Sequence, residues 1–143
     1  MVTYLTLDSS VIIASLRKQE EKHVLCKRLL ERVKNGEFVA LEPYTVMVEV
    51  VAAIKRRTGS ESLAEMVKSG LEDMSSIIFM DLISIRADDA AKIAKETGVR
   101  GMDAIVIQIA KEFDSPLVSL DMEMIERSKS VVTTVNIEDV VKL

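Results

Sequence analysis

Five short runs, Thr3–Leu7, Phe38–Leu41, Ile77–Met80, Leu117–Leu120 and Val131–Thr134, are apolar almost throughout, and stretches of helical periodicity separate them. A strand that is apolar on successive residues has no face to show to water. It belongs in a mostly parallel sheet covered on both sides by helices. The five runs are therefore candidate strands of an α/β fold. Between them, Cys26, Leu29, Leu30 and Val33 recur at i, i+3, i+4 and i+7, and the pattern stops at Asn35-Gly36, where a C-terminal cap belongs. Leu63, Val67, Leu71 and Met74 continue in the same manner. Ser84 is expected to cap a helix carrying Asp88 and Asp89 near its start and Lys95 near its end, with Gly98 as a left-handed stop.

Nothing along the chain resembles an interdomain linker or a repeat, so residues 1–143 are expected to form one domain. A chain of 143 residues buries about 68–70% of its unfolded surface, enough for a core without staples. The single cysteine, Cys26, has no internal disulfide partner, and no basic N-terminal segment leads into a long apolar stretch. A cytoplasmic location is expected. No apolar run approaches the roughly 20 residues that a bilayer requires, so no membrane span is expected. The net charge of −4 argues against holding nucleic acid by a bulk positive field. The 3% of aromatic residues and the lack of tryptophan argue against base-stacking platforms too, leaving the phosphate backbone or a metal as the route to any nucleic acid.

Most acidic residues sit where solvated surface charges belong. Four do not. Asp8 ends the run from Thr3, and Asp121 ends the run from Leu117. Glu49 is the only charge between Pro43 and Ile54, and Asp103 is the only charge from Gly101 to Ala110. A carboxylate carried into apolar surroundings costs several kcal/mol unless it is paired, hydrogen-bonded or bound to a cation. If the Asp8 and Asp121 strands are parallel neighbours, both acids emerge at the carboxyl end of the sheet, where open α/β folds place their sites. Clustered carboxylates repel unless a divalent cation neutralises them, and an oxygen-only ligand set selects hard ions, Mg²⁺ or Mn²⁺ over Zn²⁺. Each acid also has an ordinary reading. Asp8 and Asp121 can cap helices, Asp103 suits a helix first turn, and Glu49 can pair with a basic residue of another helix.

The segments Leu7-Asp8-Ser9-Ser10-Val11-Ile12-Ile13, Val48-Glu49-Val50-Val51-Ala52-Ala53, Arg100-Gly101-Met102-Asp103-Ala104 and Ser119-Leu120-Asp121, in that order, resemble the PIN domain, and within it the small VapC-type toxins. The resemblance implies a three-layer α/β/α fold around a mostly parallel five-stranded sheet. It implies a metal-dependent endoribonuclease, the toxin of a toxin–antitoxin pair, in which Asp8, Glu49, Asp103 and Asp121 hold Mg²⁺ or Mn²⁺. Ser10 and Ser119 match hydroxyl positions that orient an acid or touch substrate. A homodimer and an antitoxin whose segment enters the acidic groove are implied in the same way. The last motif departs from the family pattern: serine replaces the frequent threonine, and Glu123, two residues after Asp121, is a candidate for the site and equally a solvated helix charge.

Metal-assisted phosphodiester hydrolysis suits this inventory. Cleavage through a 2′-hydroxyl normally calls on histidines, and the chain has only His23, which with Cys26 makes half of a zinc site and no more. Phosphate contacts are expected from Arg56, seven residues beyond Glu49 on the same helix, or from Arg100. Three other readings compete: a PIN-type RNA-processing nuclease, a PIN-like module that only binds partners, and a receiver-like signalling domain. The last lacks its paired acids after the first strand and a lysine after the last.

Overall fold

The computed structural model describes residues 2–143. Four strands form one parallel sheet: β1 (Thr3–Leu7), β2 (Phe38–Pro43), β3 (Ile77–Met80) and β4 (Leu117–Val118), in the order β3-β2-β1-β4. Leu5, Thr6 and Leu7 are buried in succession, so the second half of β1 has both faces covered, as expected, while Thr3 and Tyr4 at its start are exposed. The strands enclose one continuous cluster of buried aliphatic side chains that includes Leu5, Leu7, Leu29, Val33, Ile107 and Leu117.

Helices α1 (Ser9–Leu16) and α2 (His23–Lys34) follow β1. Then α3 (Tyr44–Thr58) and α4 (Glu61–Asp73) follow β2, α5 (Ser84–Thr97) and α6 (Gly101–Glu112) follow β3, and the short α7 (Met122–Ser128) and α8 (Ile137–Val140) close the chain. The predicted stripe Cys26, Leu29, Leu30 and Val33 is the buried face of α2. Gly98 ends α5 at φ 76°, the left-handed stop expected there. Ser84 is the first residue of α5 and not its cap; Ile83 holds that place without a side-chain bond.

The sheet has four strands where five were expected. Val131–Thr134 contributes a single bridge, Thr134 to Leu117, and β4 itself stops after Val118. The cause is local. The Leu120 and Asp121 N–H groups, which a longer strand would offer to a neighbour, donate instead to the hydroxyls of Ser10 and Ser119, at 3.1 and 3.0 Å. Strand order turns at β1, with β2 and β3 on one side and β4 on the other, so a crevice opens at the carboxyl ends of β1 and β4.

Candidate functional site

Asp8 follows β1 and Asp121 follows β4 by three residues, and both reach this crevice. Glu49 enters it from the second turn of α3 and Asp103 from the first turn of α6. The four acids line one groove of about 350 Å³, together with Ser9, Ser10, Glu20, Arg57 and Arg100.

The ordinary readings of Asp8 and Asp121 hold at the same time as their gathering. Asp8 caps α1, yet every hydrogen bond it accepts falls on Oδ2: from Ser10 Oγ at 2.7 Å, Ser119 Oγ at 3.1 Å and Ser10 N at 3.4 Å. Asp121 caps α7 through Oδ1 alone, accepting from the Glu123 and Met124 N–H groups at 3.0 and 3.2 Å. In each acid one oxygen is fixed by the fold and the other is left for the groove. Ser10 and Ser119 are the ties. Each hydroxyl donates to Asp8 and accepts a backbone N–H from the segment leading to Asp121, so the two acids are held in fixed relation.

Burial and mutual repulsion show in the protonation of the set. Burial, then the charges of Asp8 and Asp121, push the Asp103 carboxyl from 3.8 up to about 6, against the pull of Arg100. Glu49 is pushed up by burial and then by Asp8 and Asp103, with Ser9 opposing. Among the described residues, three buried side-chain oxygens have no hydrogen-bond partner: Glu42 Oε1, Thr45 Oγ1 and Glu49 Oε1. All lie on the β2–α3 segment, and buried orphans of this kind mark places where something other than folding is served.

A hard divalent cation fits this donor set. Its members are all carboxylates, the Glu49 oxygen is without a partner, and Asp8 and Asp121 each keep an uncommitted oxygen. Among the described residues no three acids close into a finished cage.

Arg100, the residue before α6, is exposed and lines the groove. Arg56 is exposed and does not line it, whereas Arg57 does, pairing with Glu20 at 2.7 Å. Both residues are within helical reach of the Glu49 face, and the α1–α2 loop carrying Glu20 selects the second. Glu123 lies outside the groove, paired with Arg127 at 3.1 Å, though its charge adds to the rise in Asp103. The His23 Nδ1 meets the Ala14 carbonyl at 2.8 Å, and Cys26 is a buried core thiol that burial pushes up to about 11.

Glu42 escapes the sequence reading. It is fully buried at the end of β2, accepts the Leu7 N–H on Oε2 at 2.6 Å, and is pushed well above the ordinary 4.5 by burial, against the Leu7 bond and with the Asp8 charge adding to the rise. The signal was present: a lone charge inside Val39-Ala40-Leu41-Glu42-Pro43, the same signature that flags Glu49.

The family model for the PIN domain matches residues 5–129. The chain belongs to the PIN domain family. The fold of this PIN domain recurs in solved structures of low sequence identity. VapC20 of Mycobacterium tuberculosis, described as a sarcin-ricin loop cleaving toxin, is 15% identical, with a TM-score of 0.74 over 92% of this chain and 98% of its own. PAE2754 of Pyrobaculum aerophilum is 17% identical, with a TM-score of 0.68 over 99% of this chain and 96% of its own. DNA-bound VapBC of Salmonella typhimurium is 14% identical, with a TM-score of 0.68 over 96% of this chain and 99% of its own. No curated protein sequence matches this chain. No helix among the described residues is long and apolar enough to cross a membrane.

Proposed function

We propose that this PIN domain is a metal-dependent endoribonuclease, the toxin of a toxin–antitoxin pair, with Asp8, Glu49, Asp103 and Asp121 as the acids that hold Mg²⁺ or Mn²⁺. The observation that carries the reading is the delivery of four carboxylates from four separate elements into one groove, none of them in a salt bridge among the described residues. A divalent cation bound there supplies an acidified water and stabilises the charge that builds on an attacked phosphodiester.

The chain's own residues do the positioning. Ser10 and Ser119 hold Asp8 and the Asp121 loop in register across the crevice. Asp103, pushed up to about 6 by burial and by its acidic neighbours, holds or gives up a proton within reach of neutral pH, and that proton competes with the cation. Arg57 and Arg100 line the groove with the acids and are the cations placed to receive RNA phosphates. Glu20 occupies the Arg57 guanidinium with a carboxylate at 2.7 Å, a stand-in for a phosphate oxygen.

The toxin role and an antitoxin partner are supported by the recurrence of this fold in VapC20 and in the VapBC and FitAB complexes, and a homodimer is carried over from the family resemblance alone. Cleavage of RNA by the protein and by Asp8→Asn, each with Mg²⁺ or Mn²⁺ and with chelator, tests the reading. Cleavage is expected only from the unaltered protein with metal. Cleavage that survives chelator, or full activity of Asp8→Asn, refutes it.

A further inference from the structure

Among the described residues, the one fully buried carboxyl group that the proposed chemistry does not use is Glu42, which bonds the residue just before Asp8. Along β1, backbone pairing with β4 runs to the very end: Thr6 N donates to the Pro116 carbonyl and Asp8 N to the Val118 carbonyl, both at 2.9 Å. Backbone pairing with β2 ends earlier, at Leu5 opposite Ala40. Beyond that point β2 stays with β3, through Glu42 opposite Phe79 and Pro43 opposite Met80. The next β1 donor on the β2 side, the Leu7 N–H, is met by a side chain, Glu42 Oε2 at 2.6 Å.

We propose that Glu42 is a positioning residue for Asp8: its carboxyl group replaces a backbone carbonyl as the partner of the Leu7 N–H, and so fixes where the end of β1 delivers the Asp8 carboxylate. The proposal rests on the metal reading given above. A side-chain partner stands farther from β1 than a backbone carbonyl of β2 would. It lets β1 part from β2 just before Asp8 while remaining paired with β4, and the crevice widens where the acids meet. An ordinary sheet interior has no need of this device, because the parallel ladder could simply continue. The arrangement also leaves Glu42 Oε1 buried without a partner, a penalty that folding alone does not repay. Such a group, bonded to the residue just before the first acid of the groove, acts on where that acid is placed.

Two substitutions separate this role from plain packing. Glu42→Gln keeps an oxygen for the Leu7 N–H, while Glu42→Met fills similar volume and offers none. Mn²⁺ affinity is measured by calorimetry and the metal-free protein is compared by amide NMR. Glu42→Gln is expected to stay within about threefold of the unaltered protein, and Glu42→Met to lose about 10–100-fold in Mn²⁺ affinity, as when a group orienting a metal ligand is removed. The Leu7 amide proton should lie downfield in the unaltered protein and in Glu42→Gln, and move upfield in Glu42→Met together with a shift of Asp8. Unchanged Mn²⁺ affinity in Glu42→Met overturns the proposal, as does a Glu42→Gln protein that falls as far as Glu42→Met. If Glu42→Met does not fold, the Glu42→Gln affinity and the Leu7 resonance decide alone. An unaltered protein that takes up no Mn²⁺ removes the metal reading, and this proposal with it, by a separate observation.

Discussion

Replacing Asp103 by asparagine should make the metal-free protein more stable, although it removes a charge from the proposed machinery. Folding raises this carboxyl from 3.8 to about 6, so the folded chain holds the proton more tightly than the unfolded chain does. The sign follows from proton linkage. Stability falls as pH rises from about 4 to about 6, and the full deficit persists above that. A rise of about two units corresponds to roughly 3 kcal/mol at 1.36 kcal/mol per unit, which is a ceiling. Asp103 is only partly buried, and solvent screening reduces the figure to about 1–1.5 kcal/mol. Loss of a favourable charge in the first turn of α6 takes back about 0.5 kcal/mol. The net gain is about 1 kcal/mol, or about 3 °C in Tm for a domain of this size. The assay is thermal unfolding of both proteins near pH 4 and above about pH 7, in chelator and in millimolar Mn²⁺. Without metal, Asp103→Asn should melt higher at the upper pH, and the gap should vanish near pH 4. With Mn²⁺ the order should reverse, because only the unaltered protein gains binding energy, about 2.7 kcal/mol at a hundredfold excess over Kd. A metal-free variant that melts lower above pH 7, or one that gains as much from Mn²⁺ as the unaltered protein, refutes the reasoning.

Other consequences are open to measurement. Asp8→Asn and Glu49→Gln should each lower metal-dependent RNA cleavage by more than about 100-fold, beyond the range typical for groups that only orient ligands, and single-turnover rates check this. Ser119→Ala loses a bond to Asp8 and one from the Asp121 N–H, so it should lower stability by about 1–2 kcal/mol in urea unfolding and weaken Mn²⁺ binding about 10-fold. Arg57→Ala should reduce the salt dependence of RNA binding by about one unit of slope while Arg56→Ala leaves it unchanged; equal effects from the two would remove Arg57 from the groove's phosphate contacts. Mn²⁺ affinity should fall as pH drops through about 6, where the Asp103 proton begins to compete, and a calorimetric titration series that is flat from pH 5 to 8 would contradict this.

Much of the fold was legible in the sequence because the driving pattern is crude. Burial of both faces of β2 and of the second half of β1 requires apolar runs, and the buried stripe of α2 requires i, i+3, i+4, i+7 spacing; both survive as plain text, whereas the apolar run of β3 leaves Ile78 exposed at the sheet edge. The acids at 8, 49, 103 and 121 stood out for the same reason in reverse, as charges in apolar company, and the structure brings them to one groove. What periodicity does not register is competition for individual backbone groups. The expected strand at Leu117–Leu120 ends after two residues, with the Leu120 and Asp121 N–H groups going to serine hydroxyls, and the run Val131–Thr134 contributes a single bridge. The choice between Arg56 and Arg57 depends on about 100° of helix phase and on where a loop places Glu20, which no local pattern encodes. Glu42 carries the signature that flags Glu49, but it lies just past the expected strand Phe38–Leu41, and its burial depends on neighbouring strands.

Anomalous diffraction from crystals soaked in Mn²⁺ examines the central claim most directly. A manganese peak is expected in the groove, within direct coordination distance of carboxylate oxygens from Asp8 and at least one of Glu49, Asp103 and Asp121, with Asp8 bound through Oδ1. A fully soaked crystal whose only peaks lie elsewhere, or whose groove acids remain apart around empty solvent, contradicts it.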